Sequence, residues 1–104
     1  MRLVSQPHDA TVTIAGDGTG SANLPIMGMA IMICVKDTDG ASYDFILADS
    51  DGYTVAEPLA TLIGDSSTVC QAPCAGTMTI SFSSVTPTGG TFSVRVYTDH
   101  GFIF

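Results

Sequence analysis

Apolar and polar residues alternate with period two in four separate stretches of this chain. Val12 and Ile14 alternate with Thr11 and Thr13; Tyr43, Phe45 and Leu47 share one face of residues 42–48; Met78, Ile80 and Phe82 alternate with Thr77, Thr79, Ser81 and Ser83; and Phe92, Val94 and Val96 alternate with Ser93, Arg95 and Tyr97. Successive side chains of a strand point to opposite faces, so each stretch predicts a half-buried β-strand with its apolar face on a core. A fifth stretch, Pro25 to Val35, is apolar at every position. It predicts a central strand covered on both faces, with Ile31 and Ile33 deepest in the core.

The punctuation between these stretches is that of reversals. Gly16-Asp17-Gly18-Thr19-Gly20 predicts a tight hairpin with Ser21 to Leu24 returning, and Asp37-Thr38-Asp39-Gly40, Asp49-Ser50-Asp51-Gly52 and Pro87-Thr88-Gly89-Gly90 predict turns. Residues 55–63 break the pattern: Val55, Leu59, Leu62 and Ile63 fall at helical spacing, which predicts a short helix or an irregular crossover, with Pro58 in its first turn. Thr68 to Gln71 reads as a brief edge strand ended by Pro73. The expected fold is therefore all-β, an antiparallel sandwich of jelly-roll or immunoglobulin-like type with about 7 to 8 short strands. Residues 10–98 are expected to form the domain, 1–9 an N-terminal arm and 99–104 an apolar C-terminal tail. The tail places Phe102, Ile103 and Phe104 together after a glycine, and these are the candidate partner-contact residues.

Charge narrows the partners. Three Lys and Arg stand against ten Asp and Glu, for a net charge of −7, so no basic cluster can neutralise a run of phosphates and nucleic acid is not an expected partner. Only 12% of the residues are charged while 45% are hydrophobic, a thin polar coat for 104 residues that predicts apolar surface meant for a partner. The first nine residues lack the apolar run of a signal peptide and no stretch is long enough to span a bilayer, which predicts a protein made in a cytoplasm, without a membrane partner. Cys34, Cys70 and Cys74 are read as small buried or edge thiols, with a Cys70–Cys74 disulfide and a metal as the alternatives.

No catalytic constellation is spelled out: His8 and His100 lie at opposite ends, and neither a G-x-S-x-G elbow nor an H-E-x-x-H pair occurs. The two D-x-D-G turns raise a calcium reading, but both lack the distal Glu and flanking helices of an EF-hand, and Asx turns account for them. The glycine-rich segment 16–20 leads into a strand without a following Lys, unlike a phosphate-binding loop. No catalytic residue, metal or cofactor is expected.

The order T-V-T-I at 11–14, G-D-G-T-G at 16–20, P-I-M-G at 25–28, S-Y-D-F-I-L-A-D-S-D-G at 42–52, C-A-G-T-M-T-I-S-F-S at 74–83 and G-G-T-F-S-V-R-V-Y at 89–97 resembles small virion proteins of tailed bacteriophages. The resemblance implies a β-sandwich that decorates or cements the capsid shell, with the major capsid protein and copies of itself as partners and the virion as its location. The reading from another class is a carbohydrate- or receptor-binding β module of a fibre or spike. Against it, the chain has no Trp and only Tyr43, Tyr53 and Tyr97 to offer as stacking platforms.

Overall fold

A computed structural model of the chain describes the backbone from Arg2 to Ile103 and the side chains from Ser5 to Asp99. Seven strands run in the order β1 (Arg2–Thr13), β2 (Gly20–Lys36), β3 (Ser42–Ala48), β4 (Thr54–Ala56), β5 (Leu62–Ile63), β6 (Ser66–Thr86) and β7 (Thr91–Ile103). Every pairing is antiparallel, in the spatial order β1-β7-β2-β6-β3-β4, with β5 on the free side of β3.

The two longest strands make this one sheet into a sandwich. β2 pairs with β6 from Gly20 to Val35 but with β7 only from Met29 to Lys36, while β6 pairs with β3 only from Thr79 to Thr86. One layer is thus β1, β7 and the adjoining halves of β2 and β6; the other is their remaining halves with β3, β4 and β5. The layers meet on an aromatic cluster. Phe92 of β7 lies 5.3 Å from both Tyr43 of β3 and Phe82 of β6, although two strands separate β7 from β3 in the sheet order. Leu24, Ile26, Ile33, Val35, Phe45, Met78 and Val96 complete a fully buried core around it. Burying a large apolar side chain is worth about 1.5 to 3 kcal/mol, so this cluster is the main source of stability.

β2 departs from expectation. Its inward residues are Leu24, Ile26 and Ala30, then Ile33 and Val35, so the parity of its buried face changes once. The register against both neighbours shifts between Ala30 and Met32, which places a β-bulge at Ile31. The uninterrupted apolar run therefore does not mark a strand covered on both sides. It marks a one-sided strand whose inner face switches from even to odd positions. Ile33 is fully buried as expected, whereas Ile31, the extra residue, is only half-buried, and Met27 and Met29 face solvent.

Residues 55–63 form no helix, and none occurs among the described residues. The segment is the irregular alternative, with β4 and β5 hydrogen-bonded along β3 and Leu59 fully exposed between them. β6 continues through Pro73 instead of stopping there. At Pro73 the strand is paired only with β2, at Pro25 β2 is paired only with β6, and Pro7 lies on β1, which pairs only with β7. A missing N–H costs nothing where no second ladder awaits it. The ends expected as arm and tail are strand instead: residues 2–9 belong to β1 and 99–103 to β7, joined by the pairs Arg2↔Ile103 and Leu3↔Phe102.

Candidate interaction surface

Tight turns account for most of the acidic residues. The Asp49 carboxylate accepts the backbone N–H groups of Asp51 and Tyr53 at 3.0 and 2.9 Å, and the Asp17 carboxylate accepts Thr19 N–H and Oγ1–H at 3.1 and 2.7 Å, which is the Asx geometry read from the sequence. Asp65 accepts both the N–H and the hydroxyl of buried Thr38, and Asp37 accepts from Ser93. Tyr43 anchors the same corner: its hydroxyl donates to the Gly64 carbonyl at 2.7 Å and receives the Ser66 hydroxyl at 2.8 Å. Burial raises the Tyr43 pKa above that of a free phenol. Among the described residues, no group of three or more His, Cys, Asp or Glu side chains is placed to hold a metal ion.

The three cysteines are free. Cys70 and Cys74 lie on the inward face of β6, where their thiols reach the Ala30 and Ala72 carbonyls at 3.4 and 3.5 Å, and burial raises both thiol pKa values. A raised thiol pKa leaves little thiolate at neutral pH.

Chemistry collects instead on the outer face of the β1-β7-β2-β6 layer. Cross-strand pairs place Asp9 beside Arg95, Arg95 beside Cys34, and Met32 beside Val69 and Tyr97. The Arg95 guanidinium grips Asp9 in a bidentate pair, Nε to Oδ1 at 2.6 Å and Nη2 to Oδ2 at 3.1 Å. That contact holds the Asp9 carboxyl below its usual pKa and raises that of Arg95. Arg95 also lies 6.0 Å from the centre of the Tyr97 ring. A groove of about 370 Å³ runs along this face, lined by Asp9, Thr11, Cys34, Lys36, Arg95 and Tyr97 among others. His8 lies on the opposite, inward face of β1; because the Thr98 hydroxyl donates to the Gln6 carbonyl, the His8 Nε2–H donates to Thr98 Oγ1, at 3.1 Å.

The same face continues into bare apolar surface. Met27 is 66% exposed and Val69 76%, with Met29 also open to water beside Pro73. A second apolar group borders β3, where Tyr53, Leu59 and Ile63 (75%) are exposed. The candidate residues at the C-terminus lie elsewhere: Phe102 and Ile103 contribute backbone to β7, while their side chains and the whole of Phe104 fall outside the described residues. The bulge hides the Met positions, since period-two counting through Ile31 puts Met27 and Met29 on the same face as Ile33. The available signal was the pair Gly28 and Gly76, two glycines interior to strands, which take φ of 115° and 102° and mark irregularity in β2 and β6.

No family model and no curated protein matches this sequence. Among solved structures, the chain is similar to Aeromonas hydrophila PliG, a periplasmic lysozyme inhibitor of g-type lysozyme, at 16% identity and a TM-score of 0.47, over 92% of this chain and 86% of that one. It is also similar to a chain in the structure of the infectious bursal disease virus Gx strain, at 13% identity and a TM-score of 0.33, over 98% of this chain and 34% of that one.

Proposed function

We propose that this chain is a non-enzymatic structural component of a phage virion, decorating or cementing the capsid shell, with the major capsid protein and copies of itself as partners. The observation that carries the reading is the apolar outer face of β2 and β6, where Met27, Met29 and Val69 stand open to water on a chain with few charges. An isolated exposed leucine is ordinary, but a run of neighbouring apolar side chains on a flat sheet face is what protein association uses. The sequence resemblance to tailed-phage virion proteins supplies the kind of partner. The test is binding to shells. Purified protein mixed with capsids lacking it should co-sediment with them and appear as density of this size in electron micrographs, and Met27→Asp with Val69→Asp should abolish both. Absence of the protein from particles, or binding unaffected by those changes, overturns the proposal. The alternative, a carbohydrate- or receptor-binding module of a fibre or spike, is favoured by the groove at Arg95 and Tyr97 and would place the density on the tail instead.

A further inference from the structure

Among the described residues, the six exposed large apolar side chains fall into two groups of unlike electrostatic surroundings. Met29 and Val69, with Met27 just beyond them on β2, share the outer face of the first layer with Asp9 and with Asp99, which stands opposite Met29, and with Lys36 and Arg95, two of the three cations in the chain and the only ones whose side chains are described. Arg95 is committed to Asp9, but Lys36 makes no ion pair among the described residues. Tyr53, Leu59 and Ile63 lie along β4, β5 and their connections, together with Asp51 and Glu57 and, among the described residues, no cation. Neither the Asp51 nor the Glu57 carboxylate accepts a hydrogen bond among the described residues, unlike Asp17, Asp37, Asp49 and Asp65 in their turns. The first surface carries both described cations among its carboxylates, with Lys36 outside any ion pair; the second carries carboxylates and, among the described residues, no cation. They belong to opposite layers, so a single molecule cannot join them, whereas two copies can.

We infer that copies of this chain associate head to tail, the β4–β5 edge of one seating its Leu59 and Asp51 against Val69 and Lys36 on the outer face of the next. Such a contact is heterologous: the joined pair retains one unused surface of each kind, so the assembly grows into a ring or a row and does not stop at a two-fold dimer. Apolar contact supplies the attraction that a net charge of −7 would otherwise oppose, and the Lys36–Asp51 pairing sets the register. The inference deepens the proposed shell role by saying how neighbouring copies meet.

The experiment is done in solution without particles, so its failure leaves shell attachment standing. Sedimentation velocity of the wild-type protein over a concentration series should show growth beyond a dimer. Val69→Asp and Leu59→Asp change exposed side chains, so circular dichroism should show both folded, and each alone should sediment as a monomer. Mixed in equal amounts they should form a 1:1 dimer and nothing larger, because the intact edge of one fits the intact face of the other. Lys36→Glu and Asp51→Lys should each weaken association by roughly tenfold, and the doubly exchanged protein should regain it. A wild type that stays monomeric up to roughly 1 mM overturns the inference. So does association unaffected by the single changes, or a mixture that remains monomeric.

Discussion

Ile31 and Ile33 are two residues apart and chemically identical, yet the fold treats them differently because the bulge lies between them. Ile33 is fully buried on β2 between its neighbours β7 and β6, and Ile33→Asp should leave no cooperatively melting protein, since an unpaired buried carboxylate costs several kcal/mol against a total stability of about 5 to 15 kcal/mol. Ile31→Asp at the half-buried extra position should remain folded with a lowered melting temperature. Equal loss of folding in both would remove the bulge from Ile31. Tyr43 gives a second test. Tyr43→Phe leaves the Gly64 carbonyl and the Ser66 hydroxyl without their partner and should cost about 1 to 3 kcal/mol in chemical denaturation. The raised pKa of Tyr43 means that the folded state holds this proton more tightly than the unfolded chain. Its contribution is therefore complete below the ordinary phenol pKa near 10 and is lost as pH rises through the folded value. Tyr43→Phe should accordingly flatten the alkaline limb of a stability profile, seen as thermal melts across that range.

At the scale of elements, what was legible followed from strict alternation. The faces of β3, of β6 from Met78 to Phe82 and of β7 from Phe92 to Val96 carry one apolar side each, and they are buried as the pattern says. The pattern was misleading where a strand changes parity or loses a neighbour. Ile31 is not recognisable as an extra residue because every residue around it is apolar, and Pro73 reads as a stop because local sequence does not say how many ladders a strand serves. The helical spacing of Val55, Leu59 and Leu62 was likewise coincidence, since Leu59 faces water and β3 offered its open edge to β4 and β5 instead. The exposed surfaces were the least legible, because an outward Met reads like an inward one. The ladder argument has its own test. Pro73→Ala should change stability little, whereas Ser81→Pro, at a position paired with both Ser21 and Ile46, should abolish folding as judged by far-ultraviolet circular dichroism. Gly20 has another constraint: a Cβ there would come within 2.6 Å of the Thr13 carbonyl and 2.9 Å of Val12 Cγ1, so Gly20→Ala should cost about 1 to 3 kcal/mol in a urea titration.

For the molecule as a whole, the acidic turns are held by their own backbone, so thermal melts with and without a chelator should superimpose. A large drop on chelation would make ligands of Asp37, Asp39, Asp49 and Asp51. The strands common to both layers carry a mechanical consequence. Had the layers been joined only by loops, a tug on one could peel it from the other while each kept its own pairing. Here β2 and β6 are continuous through both, so a load entering on the outer face at Val69 passes along covalent backbone to the rungs that hold β3. The protein should therefore yield in a single abrupt rupture under the optical trap, with no half-open intermediate.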